Sequence, residues 1–346
     1  MPSYMAREIA AQPEVLRHLL QAEMENVRRI AAWIREFDPI FAFMVARGSS
    51  DNAALYGKYL FGILNRIPVA LAAPSIFTLF QAPPALSRAL VIAISQSGQS
   101  PDLLEVTQNA RSQGAVTVAV TNDPASPLAK LCNWVIPLHA GVERSVAATK
   151  SYTAQLMALA MLSACLDERP ELLVELEQLP EQVRQAMRAE DAARAAAERM
   201  KQANRCVVIG RGFDYATAQE IALKLKELAS VAAEPYSAAD FMHGPLAMVG
   251  PGFPAILVAP EGAAFGEMNR LAQRLKEFGV ELFAISNRQA LLKLATVPIP
   301  LEGSVKDWLS PFLTVVPGQQ LALHLALAKG LDPDRPRRLS KVTRTR

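Results

Sequence analysis

Three residues of the second half could move protons together. In "TAQEIALKLKEL", Glu220, Lys224 and Glu227 stand at i, i+4 and i+7. On a helix this spacing puts all three on one face, while Lys226 points elsewhere. A positioned carboxylate can serve as a general base; an ordinary solvated Glu/Lys face has the same spacing. A second candidate lies in "ALVIAISQSGQSPDLLEV", Ala89 to Val106. There an apolar run stops at Ser95-Gln96-Ser97-Gly98-Gln99-Ser100, and a helix-like run begins at Pro101. A helix N-terminus offers unpaired N–H groups and the positive end of a dipole. Hydroxyls add neutral donors, and Gly98 lets backbone approach closely. That composition suits an anion, most simply a phosphate; a Ser-rich turn with no ligand is the plain alternative. Ser100 alone is accounted for as an N-cap ahead of Pro101, but Ser95, Gln96 and Ser97 are not. "RGSSDN", Arg47 to Asn52, repeats the construction, and "GVERSVAATKSY", Gly141 to Tyr152, is a third polar loop before a helix. Three such loops fit a phosphorylated polyol. The phosphate-binding G-x-x-x-x-G-K-[ST] pattern is missing, and no G-x-G-x-x-G follows the first strand, which argues against nucleotide sites.

His243 sits in the loop "FMHGP" and, as an imidazole, could act as acid or base; it could equally be a polar turn residue. His18 and His324 fall on apolar helical patterns and read as packing residues. His139 follows a strand end and belongs to no motif.

The elements that must position these groups repeat along the chain. "FMVARGSSDNAALYGKYL" at 43–60 resembles "CVVIGRGFDYATAQEIAL" at 206–223, and Gly114 and Asn122 recur as Gly279 and Asn287. Strands are expected near 41–46, 68–73, 89–95, 116–122 and 134–138, and again near 205–210, 231–237, 254–260, 281–287 and 296–301. The middle strands are continuous apolar runs, the pattern of a parallel sheet covered on both faces. Amphipathic helices at 51–64, 101–113 and 265–278 alternate with them, which implies doubly wound α/β domains. Further helices are expected at about 3–34 and 151–200. The second copy has "APEGAA" in place of the Ser-rich junction, so the fold itself does not require that junction.

Composition narrows the class. Half the 346 residues are hydrophobic (51%) and a fifth charged (20%), as in globular chains. No signal-peptide pattern opens the chain, and the greasiest run, Leu156 to Leu166, is too short to span a membrane. Three scattered cysteines suit a reduced, cytoplasmic protein without disulfides or zinc. The net charge of +3 is local, because "RPRRLSKVTRTR" carries six basic residues and no acids; the remainder has 30 basic and 33 acidic residues. A solvated end or a cationic lid over an anionic site explains this tail better than a nucleic-acid arm.

"ISQSGQSPDLL" resembles the phosphosugar loop of the sugar isomerase (SIS) domain. "GVERSVAATKSY", "EIALKLKE", "FMHGPLAM" and "KGLDPDRPRRLSK" resemble, in this order, the isomerase half of the glutamine–fructose-6-phosphate amidotransferase family. The resemblance implies two tandem flavodoxin-like SIS domains, each an αβα sandwich with a five-stranded parallel sheet. The expected divisions are a helical segment 1–34, a first SIS domain 35–167, a helical linker 168–195, a second SIS domain 196–330 and an active-site tail 331–346. About 40 residues precede the first SIS strand, too few for a glutaminase domain. "RGSSDNAALYGKYL" and "DFMHGPLAM" look most like the stand-alone SIS-type glucosamine-6-phosphate deaminases. The reaction implied is D-glucosamine 6-phosphate plus water to D-fructose 6-phosphate plus ammonia. Fructosamine-6-phosphate deglycases, galactosamine-6-phosphate deaminases, phosphosugar isomerases and phosphosugar sensors are the alternatives.

By motif, Ser95, Gln96, Ser97 and Ser100 would hold the phosphate, and Ser50, Val146 and Ala148 would line the sugar. Glu227 would be the C1–C2 base, with Glu220 and Lys224 relaying protons. His243 would reach the active site of a neighbouring subunit in a homodimer, and Lys341 would cover the sugar. The family pattern has Glu, Thr and Ser where Gln99, Ser100 and Ala148 stand, so Ala148 has lost a hydroxyl. No metal or cofactor is implied, and neither nucleic acid nor membrane is an expected partner.

Overall fold

The computed structural model describes residues 2–304 and 306–341. It contains two five-stranded sheets, all strands parallel. The first has the order β2-β1-β3-β4-β5, from β1 (Phe41–Val45), β2 (Val69–Leu71), β3 (Ala89–Ile94), β4 (Val116–Thr121) and β5 (Trp134–Pro137). The second has the order β10-β9-β8-β6-β7, from β6 (Arg205–Gly210), β7 (Ala232–Ser237), β8 (Pro254–Val258), β9 (Glu281–Ser286) and β10 (Val297–Pro300). Read from β7, the second order repeats the first. The central strands β3 and β4 are buried at every residue, as their unbroken apolar runs require. All ten strands fall where the sequence places them.

The chain forms two compact units. One contains Gln12–Glu143, Lys150–Pro180 and the tail from Ser340; the other contains Met1–Ala11, Arg144–Thr149 and Glu181–Leu339. They are called here the first and second units. In the first, the helix Lys150–Asp167 packs on the helices Gln12–Phe37 and Ser49–Leu64. Its residues are buried on every side through Cys165, so it is a core helix and not a surface one.

Two expected long helices are interrupted. Pro13 lacks the N–H that would continue the ladder from Tyr4–Ala10, so a separate helix begins at Gln12. The expected 151–200 helix resolves into Lys150–Asp167, Pro170–Ala186 and Glu190–Arg199. Glu168 takes a left-handed conformation (φ 65°) and Pro170 restarts the chain. Both duplicated asparagines do the same work after the fourth strand of their sheets. Asn122 donates from Nδ2 to Gly141 O at 2.8 Å, and Asn287 to Gly303 O at 2.9 Å.

In the second unit the helix Asp214–Ala229 lies against the helix Ser310–Ala328. Their approach is close: a Cβ at Gly318 would come within 2.3 Å of Ile221. At the start of the contact Asp214 accepts from Ser310 Oγ and Thr314 Oγ1, each at 2.7 Å. Burial pushes its carboxyl up to about 7, against the opposing pull of those hydroxyls. The folded chain therefore keeps a proton that an unfolded aspartate releases between about pH 4 and 7. Asp214 favours folding fully below that window, and the contribution is lost as pH rises through it. Its upper bound is about 4 kcal/mol. Wild-type urea midpoints should fall between pH 5 and pH 8, and Asp214→Asn should flatten that slope; an unchanged slope removes Asp214 as its source.

Candidate functional site

Parallel sheets of this order bind ligands outside the C-terminal ends of their strands, where the strand order reverses. In the first unit that point lies between β1 and β3. The loops that leave these strands are "RGSSDN" and "SQSGQS". Arg47 ties them together, donating from Nε to Asp102 Oδ2 at 2.7 Å. Asp102 is buried in the first turn of the helix Pro101–Ser112, where a carboxylate complements the dipole.

The Ser-rich loop is held from several directions. Ser95 Oγ accepts the Gly98 N–H at 3.1 Å, and the Asn122 N–H donates to Gln96 O at 3.1 Å. Gly98 has φ 61°, and a Cβ there would lie 2.2 Å from Ser126 Oγ. Both the conformation and the space require glycine. Ser100 occupies the N-cap position with extended backbone but makes no side-chain cap bond, so the capping explanation of its hydroxyl does not hold. Ser50 lies inside the first turn of the helix Ser49–Leu64, not in the loop before it. Its Oγ accepts from Gln155 Nε2 at 2.9 Å, which leaves its proton for a ligand.

Gln96, Ser97 and Lys341 share a cleft of about 640 Å³. Lys341 donates to Glu143 Oε2 at 2.9 Å. Glu143 is completely buried and also accepts from the Ser151 N–H at 3.1 Å and Ser151 Oγ at 2.5 Å. It thus caps the helix that begins at Lys150 and fixes the tail lysine. Glu143 stands inside the motif "GVERSVAATKSY", but nothing in its spacing marked it as Lys341's partner.

Two histidines also line this cleft. His18 is exposed there, not packed in a core as its helical pattern suggested. His139 meets Glu23 at 2.6 Å. His324 is three-quarters or more buried and meets Glu190 at 3.1 Å, in keeping with a packing role.

Val146 and Ala148 belong to the second unit, in a loop where their partly exposed side chains alternate with buried Ser145, Ala147 and Thr149. Glu8 anchors that loop by accepting the N–H groups of Arg144 and Ser145. In the same unit the spacing of Glu220, Lys224 and Glu227 produces a buried triad, not a solvated face. The Lys224 and Glu220 residues have no solvent exposure. Lys224 Nζ lies 2.6 Å from Glu227 Oε2 and 3.4 Å from Glu220 Oε1. Glu227 alone reaches out, with 23% of its side chain exposed. It opens on a smaller cleft lined also by Ser230, Asp332, Arg335 and Arg337. His243 is exposed just after the short helix Ala238–Met242, and its ring has no hydrogen bond among the described residues.

The second copy of the Ser-rich loop is occupied from within. Asp307 Oδ2 accepts the Ala263 N–H at 3.0 Å, and its carboxylate lies against Gly262. By the repeat, Gly262 corresponds to Ser97. A side chain fills the copy that has lost its hydroxyls.

Fold and loops together define a tandem, doubly wound α/β protein. The chain belongs to the SIS domain family, whose model matches residues 41–164 and 199–328. It is 37% identical over 350 residues to the isomerizing glutamine–fructose-6-phosphate aminotransferase of Thermococcus kodakarensis, covering 98% of this chain and 58% of that protein. The chain therefore spans little more than half the length of this curated relative. Among solved structures, a Silicibacter pomeroyi protein provisionally assigned as a phosphosugar isomerase is 37% identical, with a TM-score of 0.88 over 96% of this chain and all of that one. The C-terminal domain of glucosamine-fructose-6-phosphate aminotransferase from Francisella tularensis is 27% identical, with a TM-score of 0.89 over 97% and 99% of the two chains. Among the described residues no helix is long and apolar enough to cross a membrane, and no group of three or more His, Cys, Asp or Glu side chains could hold a metal. All three cysteines are buried and unbridged.

The Ser-rich loop carries a direct expectation. Ser97→Ala should weaken phosphosugar binding by about tenfold or more, the loss of a hydrogen bond to a charged group, while thermal unfolding stays within a degree or two. Gly98→Ala should weaken binding and lower the unfolding temperature together. Calorimetric titration that shows unchanged affinity in Ser97→Ala removes the loop from phosphate binding.

Proposed function

We propose that this protein is an amino-sugar-phosphate deaminase/isomerase, converting D-glucosamine 6-phosphate and water to D-fructose 6-phosphate and ammonia. The observation that carries the reading is the Glu220–Lys224–Glu227 triad. A lysine without solvent access is held between two carboxylates, and only Glu227 opens to a cleft. A carboxylate fixed by a buried ammonium suits proton transfer between adjacent sugar carbons. The Ser-rich loop of the first unit supports a phosphorylated substrate. The names of the relatives point to hexosamine and hexulose phosphates. A glucosamine-6-phosphate deaminase from Thermotoga maritima shares the fold, with a TM-score of 0.78 at 24% identity.

In this mechanism the phosphate rests on Ser95, Gln96, Ser97 and Ser100, and the sugar on Ser50 and the loop bearing Val146 and Ala148. The pyranose ring opens with proton transfer by His243, contributed by the neighbouring subunit of a homodimer. Glu227 removes the C2 proton, and C1 gains one. The product is the 2-imine of the ketose, which water hydrolyses to fructose 6-phosphate and ammonia. Lys224 steadies the Glu227 carboxylate, Glu220 holds Lys224, and Lys341 covers the sugar.

Glu227→Gln keeps the size and polarity of the side chain and removes the base. It should lower kcat for ammonia release by roughly 10²–10⁴-fold, and deuterium exchange at C2 should fall with it. Phosphosugar affinity should change little. Near wild-type ammonia release by this variant excludes Glu227 as the base. Failure of the wild-type protein to release ammonia from any amino-sugar phosphate would make a phosphosugar sensor the better reading. The dimer has its own test. His243→Gln and Glu227→Gln, each inactive alone, should recover activity when mixed and allowed to exchange subunits; no recovery places His243 in its own subunit's site.

A further inference from the structure

The proposed reaction ends with water attacking an imine, and none of the residues assigned above activates that water. His139 lies on the cleft that Gln96, Ser97 and Lys341 also line. Its Nε2 is 2.6 Å from Glu23 Oε1, and the other oxygen of Glu23 accepts from Asn26 Nδ2 at 2.7 Å. Asn26 is fixed in turn by Val135 O at 2.9 Å. A carboxylate can only accept, so in the pairing of His139 with an ionised Glu23 the proton is carried by Nε2. That leaves Nδ1 as the nitrogen with a lone pair, and it makes no hydrogen bond among the described residues. The ring is held from other sides too. His18 packs edge-to-face on it, with centroids 5.3 Å apart and planes at 80°. Asn122 clamps the next two residues, accepting the Ala140 N–H at 2.9 Å and donating to Gly141 O at 2.8 Å. His139 itself has φ 49°, a left-handed conformation uncommon for any residue but glycine. Non-glycine residues persist there only where the surrounding structure fixes them, often at functional sites.

An imidazole that lines a cleft, with one nitrogen held by a buried carboxylate and the other making no hydrogen bond among the described residues, has the construction of a general base. We infer that His139, positioned by Glu23 and His18, is the base for the hydrolytic water. The inference rests on the deaminase reading above. As the oxygen of water bonds to C2 of the protonated imine, the C=N π pair moves onto nitrogen and one water proton passes to His139 Nδ1. That proton then goes to the amino nitrogen of the resulting carbinolamine. The C2–N bond breaks with its electron pair going to nitrogen, the hydroxyl proton passes by way of His139 to the departing ammonia, and ketone and ammonium leave. Glu23 and His18 are positioning residues, because they act through the His139 ring.

His139→Asn tests the assignment, since asparagine tolerates the left-handed backbone and lacks the basic nitrogen. Deuterium exchange at C2 should stay within a few-fold of wild type while ammonia release falls by about 10²-fold or more. Phosphosugar binding by calorimetry should be retained. Glu23→Gln should show the same split more mildly. Ammonia release by His139→Asn within about threefold of wild type overturns the inference, and so does an equal fall in exchange and release. If wild type exchanges the C2 hydrogen but releases no ammonia, the deaminase reading fails first and this one with it. That outcome is read without any variant, so the two failures are distinct.

Discussion

The second unit is organised around a lysine that water does not reach. An ammonium moved into a protein interior loses several kcal/mol of solvation unless carboxylates replace the water. Lys224 meets this condition with one glutamate four residues before it and one three residues after, so a single helix supplies the whole arrangement. The seal comes from elsewhere. The helix Ser310–Ala328 approaches closely enough that Gly318 has no room for a side chain, and Asp214, Ser310 and Thr314 lock the start of that contact. Removing both carboxylates would strand a buried charge. The triad is therefore as much a constraint on folding as on chemistry, and only the partial exposure of Glu227 separates the two roles.

Duplication supplies an internal comparison. Both copies keep the strand order, the glycine after the helix that follows the third strand, and the asparagine that clamps the loop beyond the fourth. They differ where a ligand would sit. In the first copy Ser95 Oγ accepts the Gly98 N–H, and Gly98 packs against Ser126. In the second, Asp307 brings a carboxylate to the corresponding N–H, that of Ala263. A helix N-terminus attracts negative charge in either case. In each copy a side chain of the chain itself accepts this N–H, a hydroxyl in one and a carboxylate in the other.

Much of this was legible in the sequence, for identifiable reasons. Parallel strands buried on both faces announce themselves as Val/Ile/Leu/Ala runs, and repetition doubled the signal. The Ser-rich junction stood out because the other copy lacks it. Periodicity placed Glu220, Lys224 and Glu227 on one face but could not say whether that face was wet, because burial depended on Gly318, almost a hundred residues away. The partnership of Glu143 with Lys341 spans 198 residues, and that of Glu23 with His139 spans 116. Such pairs have no local spacing to betray them. His18 was misread for a related reason: a histidine at the margin of an apolar stripe is consistent with a core position until the loop opposite it is known. Ser100 shows the reverse error, a residue of the right type at the right position that makes no capping bond.

One rule recurs at the polar groups singled out above. Arg47 is fixed by Asp102, Lys341 by Glu143, Lys224 by Glu220 and Glu227, and the His139 ring by Glu23. In each case at least one carboxylate partner is largely or wholly buried, whereas Arg47 and His139 are substantially exposed and Lys341 partly so. Exposed ion pairs contribute little to stability, because water competes for both partners and side-chain entropy opposes the contact. Burying the carboxylate removes much of that competition on one side and fixes the direction of the partner before any ligand arrives. Groups aimed in advance need not reorganise as charge develops, which is the larger part of what a protein site offers over water. The acidic residues of the body, which slightly outnumber its basic ones, are thus in part the framework that fixes these cations and the imidazole in place.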